Sequence, residues 1–279
     1  MRQSISQRMQ SLSSELSKPT DSDVVHLRTL RRAIGFLGLA LPVALVVGEN
    51  VRDRFLSQGV QAGRLIIEGS ISAYYHTGLR EVFVGILCAL AIFLLCYKGL
   101  EKWDVLAARI AGACALFVAL LPTHESSREA ADTGIPVPDS VTLFSGPGAA
   151  DPEIVGTLHY VSAALFFVTI ALMSLLLFTK TGAASPTERK RLRNIVYRVC
   201  GGAILAAILL IAVDKLVLGG RWGEGTSFVF WMETVAVWAF GISWLTKAEV
   251  WLTDSQDLPM QSPRAVDIAG DENSRRVRV

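Results

Sequence analysis

The side chains of this 279-residue chain that could do chemistry are His76, Arg80, Glu81, His124, Glu125, His159, Tyr160, Asp214, Lys215 and Glu233. Each lies in or at the edge of a long apolar run. An ionisable group in such a place is costly unless it is paired or hydrated. If the runs cross a membrane in alternating directions, all of these groups fall in one layer near its outer face. His76, Arg80, Glu81, His159, Asp214 and Glu233 then form a candidate pocket, open to the outside, for a lipid headgroup or a small polar ligand. A structural reading uses the same residues. Arg80 and Lys215 can anchor at the interface with the charge turned to water, and His159 can bond to a neighbouring helix. Glu233 is the hardest to explain that way, because its side chain is short and lies more than a turn inside its run.

Two catalytic arrangements can be written from this set. His76, His124 and His159, with Asp214 and Glu233, could hold zinc and activate water, although no His-x-x-x-His pair is present. A lipid hydrolase centred on His159, Asp214 and Glu233 is the alternative to a non-enzymatic protein that binds such a ligand or supports membrane organisation. Ser70 and Ser72 precede His76 without a Gly-x-Ser-x-Gly elbow. No phosphate loop or dinucleotide fingerprint occurs, so no cofactor, resident metal or catalytic residue is expected. The basic runs are short and flank apolar segments, which argues against nucleic-acid binding.

The elements that position these groups are six apolar runs, near residues 33–48, 81–97, 105–122, 155–178, 196–218 and 228–245. A span needs roughly 20 mostly apolar residues. The first run is short and holds Pro42, which a bundle tolerates when neighbouring helices satisfy the freed carbonyl. With 51% hydrophobic residues, 19% charged and a mean hydropathy of +0.42, the composition is that of a membrane protein. The expected fold is all-α: a polytopic membrane protein with six transmembrane helices in an antiparallel bundle.

Lys and Arg concentrate at Arg2–Arg32, Lys98–Lys102, Arg189–Arg193 and Lys247–Arg278, while Glu125–Glu153 is acidic. The positive-inside rule therefore places both termini and two short loops in the cytoplasm of a cell with its protein in the plasma membrane. Arg52, Arg54 and Arg64 run against that bias. The domains expected are a basic tail over 1–29, a transmembrane domain over 30–252 with an outer loop at 123–154, and a disordered tail over 253–279. The long outer loop is either a lid or a mobile connection. No cleavable leader is expected, since a long polar stretch precedes the first run. Cys88, Cys96, Cys114 and Cys200 read as packing residues without a disulfide. Small residues at helical spacing mark helix contacts: Ala108, Gly112, Ala115 and Ala119 in the third run, and Gly202, Ala203, Ala206 and Ala207 in the fifth. In the last run Trp231 and Trp238 share a face and Glu233 lies opposite, so tryptophan meets lipid and the carboxylate meets protein. Membrane lipids are the expected partners; a homo-oligomer stays open.

Three short stretches carry a resemblance: Ser70-Ile-Ser-Ala-Tyr-Tyr-His-Thr77 with Arg80–Leu87, Leu121-Pro-Thr123, and Leu158-His-Tyr-Val-Ser-Ala163. Together they resemble bacterial six-helix integral membrane proteins of unknown function. More distantly they resemble the eukaryotic group of damage-regulated autophagy modulators and glycosyl-phosphatidylinositol (GPI) remodelling proteins. The resemblance covers about residues 30–250. It implies a six-helix bundle and a role connected to membrane lipids, and it supplies no catalytic residues.

Overall fold

In the computed structural model of the chain, residues 21–56, 65–99, 101–123, 151–180 and 187–251 are described. Among the described residues six α-helices follow one another: α1 Asp21–Leu56, α2 Arg80–Leu95, α3 Lys102–Leu120, α4 Pro152–Leu172, α5 Glu188–Leu216 and α6 Phe228–Lys247. A 3₁₀ turn, Ser72–His76, precedes α2, and a π segment, Met173–Leu177, continues α4. Five helices, α1 and α3 to α6, are long and apolar enough to cross a membrane. At 16 residues α2 is shorter, about 24 Å at 1.5 Å per residue, against a hydrocarbon core of about 30 Å.

Local chemistry sets several helix ends. Asp151 caps α4 by accepting the Glu153 N–H at 2.9 Å, and Pro152 occupies the first turn, where no donor is needed. Thr187 caps α5 through the Lys190 N–H at 3.2 Å. At the end of α6 the Glu249 N–H bonds to Thr246 and the Val250 N–H to Leu245. This double closure requires the left-handed conformation at Glu249, where φ is 56°, a place that glycine usually takes.

The first helix corrects the sequence reading most. It runs well past both ends of the expected 33–48 stretch, and it begins inside the segment read as a tail. Hydropathy ends a span at its first charges, but here those charges are satisfied within the helix or by other parts of the chain. Arg31 donates to the Tyr97 hydroxyl at 3.1 and 3.3 Å. Arg28 pairs with Glu249 at 3.0 Å, and Glu49 with Arg52 at 2.8 Å. Pro42 lies within continuous helix.

The helices form a closed ring. Each packs on its sequence neighbours, and α6 packs back on α1. Two glycines make that closure. A Cβ on Gly35 would lie 2.9 Å from the Gly241 carbonyl oxygen, and one on Gly241 would lie 2.8 Å from that of Gly35. Only glycine at both positions lets the backbones approach so closely. The small-residue stripe of α3 faces inward as expected, with Ala108, Gly112, Ala115 and Ala119 buried. The stripe expected in α5 holds only in part: Ala207 is buried and Ala203 half-buried. Gly202 and Ala206 face outward, while Gly201, Ile204 and Ala207 are buried. The four cysteines are free thiols, and Cys114 and Cys200 are buried in the core.

Candidate functional site

Segment 65–79 links α1 to α2 and closes one end of the ring. Helix ends expose backbone groups without intrahelical partners, and this segment satisfies several of them. The Gly69 carbonyl accepts the Phe230 N–H from the first turn of α6 at 2.9 Å. The Tyr75 hydroxyl donates to the Leu120 carbonyl at the end of α3, at 3.3 Å. Asn50 of α1 holds Ile66 from both sides, donating to its carbonyl at 2.8 Å and accepting its N–H at 2.9 Å. The Ser227 hydroxyl donates to the Ile67 carbonyl at 3.2 Å.

Four of the six nominated side chains belong to this closure. Glu233 accepts the Ile71 N–H at 2.6 Å. The next residue, Ser72, lies 3.1 Å from His159 Nε2. His159 is wholly buried, and its Nδ1 lies 2.8 Å from the Leu121 carbonyl. A carbonyl can only accept, so Nδ1 carries a proton. In the neutral ring Nε2 then has a free lone pair, and the Ser72 hydroxyl donates to it. His76 bonds to the Thr123 hydroxyl at 3.1 Å. Arg80 donates to the Tyr75 hydroxyl at 2.9 Å, and its guanidinium lies 4.6 Å from the Tyr75 ring centre.

The other two are placed elsewhere. Glu81 is exposed on the outer face of α2, which corrects its expected inward orientation: one residue of helix turns a side chain by about 100°, and Phe83 takes the inward position. Asp214 is wholly buried and pins the α5–α6 connection, accepting the Trp222 N–H at 2.8 Å. Its second oxygen is buried without a hydrogen bond among the described residues. His124 and Glu125 lie outside the described residues, as do most of loop 123–154 and residues 253–279. Trp231 and Trp238 face outward, with 48% and 39% of their surface exposed. Glu233 turns inward, as the helical phase predicts.

Below the segment, inside the ring, lies a cavity of about 40 Å³. Ser72 and Glu233 form its polar edge, and its walls include Phe83, Leu87, Phe166 and Val237. That volume holds a few water-sized groups. Among the described residues, no group of three His, Cys, Asp or Glu side chains is placed to hold a metal ion. The sequence reading placed Ser72 before His76; the structure gives it to His159 instead. The three stretches that carried the resemblance meet here, through Ser72, Leu121 and His159. Burial of the phenol, with Glu68 and Glu49 nearby, pushes the Tyr74 pKa up to about 12.

Comparison with protein-family models, with curated proteins and with solved structures finds no match.

Proposed function

We propose that this chain is a plasma-membrane protein that crosses the bilayer six times, related to the six-helix group it resembles, and that it binds an amphiphile in the cavity under segment 65–79. The sixth crossing is α2. The chain reaches the 65–79 end through α1 and starts α3 at the opposite end, so α2 has to make the return. Its 16 residues are accommodated by local thinning of the bilayer or by its flanks. Positive-inside bias puts the termini in the cytoplasm and segment 65–79 outside. Single cysteines in a cysteine-free background test this: outside reagent should label position 145 and spare position 185.

The observation that carries the binding reading is the composition of the cavity, a polar edge of Ser72 and Glu233 over apolar walls. That combination suits a molecule with a polar group and a hydrocarbon part. Because the cavity is small, a headgroup enters by displacing segment 65–79. Native mass spectrometry of the purified protein should find a retained lipid that is lost from Glu233→Leu. A wild-type protein that retains none, or a variant that retains it equally, defeats the proposal.

A second reading, a lipid hydrolase, draws on the bond between Ser72 and His159. A hydroxyl, a base within hydrogen-bond reach and a third group orienting that base are the parts of an activated nucleophile. Ser72 Oγ would attack an ester carbonyl while His159 Nε2 takes its proton and passes it to the departing alcohol; water would then release the acyl group. Glu233 borders the same cavity. Asp214 serves the α5–α6 turn and has no part in this version. Covalent labelling of wild type, but not Ser72→Ala, by a long-chain fluorophosphonate would favour this reading over simple binding.

A further inference from the structure

We propose that the end of the ring opposite segment 65–79 is a binding site for a phosphate group, held by Arg31 and Lys247. This inference goes beyond the amphiphile cavity and does not depend on it.

Three helix ends bring five cations together there: Arg28 and Arg31 from α1, Lys190 and Arg193 from α5, and Lys247 from α6. Arg31, Lys190, Arg193 and Asp104 are the charged groups close enough to Lys247 to act on it electrostatically. Glu249 is engaged by Arg193 at 2.9 Å and by Arg28 at 3.0 Å. Asp104 is buried at the start of α3. Among the described residues, Glu249 and Asp104 are thus carboxylates set among these cations.

Two of these cations, Arg31 and Lys247, are held by neutral groups. Arg31, 8% exposed, bonds to the Tyr97 hydroxyl at 3.1 and 3.3 Å and to the Lys247 carbonyl at 3.4 Å. The Lys247 ammonium lies 5.1 Å from the centre of the Phe178 ring and has no carboxylate within ion-pair distance among the described residues. Phenol, carbonyl and ring face orient a cation without neutralising it. Desolvated like charges held together repel, and a bound anion removes that cost. The floor beneath them is rigid: the Trp244 ring meets Tyr97 at 5.1 Å and Phe178 at 5.5 Å, both edge to face.

The chemistry selects the ligand. A guanidinium with hydrogens to spare and a primary ammonium on an aromatic floor suit a tetrahedral oxyanion such as phosphate. The phosphate of an anionic lipid headgroup and free inorganic phosphate share that chemistry.

The test is the melting temperature of the full-length protein in neutral detergent, with phosphatidylglycerol or with inorganic phosphate. Each variant is compared with its own unliganded state. Protection of the wild type by phosphatidylglycerol alone identifies a lipid headgroup; protection by inorganic phosphate as well identifies the free anion as sufficient. In either case Arg31→Gln and Lys247→Gln should each weaken the half-saturating concentration by about tenfold or more, while Lys247→Arg keeps it near wild type. Failure of both ligands to protect the wild type overturns the proposal, and that measurement needs no variant to fold. Equal protection of wild type and the double variant Arg31→Gln/Lys247→Gln also overturns it.

Discussion

His159 and Glu233 stand on different helices and hold consecutive residues of one segment. His159 Nε2 meets the Ser72 hydroxyl at 3.1 Å, and Glu233 accepts the Ile71 N–H at 2.6 Å. The ionisable groups of α4 and α6 are thus joined through backbone and hydroxyl. Their first consequence is mechanical: anything that frees segment 65–79 has to break both bonds, and a ligand that satisfies both groups can replace the segment.

Glu233→Gln should be tolerated better than Glu233→Leu. The amide oxygen can still accept the Ile71 N–H, whereas leucine leaves that donor unpaired at a cost of about 1–3 kcal/mol. Melting of the two variants in detergent checks the order. A leucine variant as stable as wild type would show that the bond contributes nothing net.

Ser72 and His159 should be coupled. Ser72→Ala and His159→Ala, made singly and together, should give a non-additive loss with an interaction of about 0.5–3 kcal/mol. Additive losses would separate the two side chains. Hydrogen-exchange protection of residues 65–79 should fall in the His159 variant even where global melting changes little.

Glu249 sets backbone conformation against charge. Its left-handed φ of 56° costs a non-glycine residue about 1–2 kcal/mol, yet its carboxylate holds Arg28 and the buried Arg193. Glu249→Gly should therefore be less stable than wild type but more stable than Glu249→Ala by roughly that backbone difference. Thermal melting of the three proteins decides it. A glycine variant more stable than wild type would mean that the two arginines gain little from Glu249.

Alkali should loosen the closure made by segment 65–79. The folded Tyr74 pKa is raised from 10.0 to about 12, so the folded state favours the neutral phenol. That contribution is fully present below about pH 10, the unfolded value, and is lost as pH rises through the folded value. Tyrosinate absorbance followed alongside melting should show a late-titrating signal in wild type that is smaller by one tyrosine in Tyr74→Phe. The variant should also show a flatter stability profile over that interval.

The sequence exposed the helices better than it exposed the partners of the polar groups. Apolar runs locate α3 and α6 to within a few residues because those helices begin and end where the hydropathy changes. Glu233 was legible because two tryptophans seven residues apart define the opposite face. The length of α1 was hidden because its terminal charges are balanced by Tyr97, Glu249 and the Lys247 carbonyl, all distant in sequence. The α5 stripe was read only half correctly because Gly201-Gly-Ala203 offers small residues on adjacent faces, and only contact with Leu175 and the Ala171 carbonyl selects Gly201. The pairing of Ser72 with His159 spans 87 residues and leaves no periodic trace, since segment 65–79 has neither helical nor strand alternation. The Arg31–Lys247 cluster looked like three separate topology signals until folding brought them together.

The ring closes where Gly35 meets Gly241, and this orders the events of synthesis. As α1 leaves the ribosome, the partner for its glycine face has not been made. It can dock on α2, but its seam with α6 waits until Phe228–Lys247 has emerged. Through that interval Gly35 and Gly38 are turned toward lipid, the insertion machinery or another chain. Assembly of this protein therefore ends at its first helix, and a truncation that removes α6 leaves the earliest part of the chain as the unfinished surface that quality control can recognise.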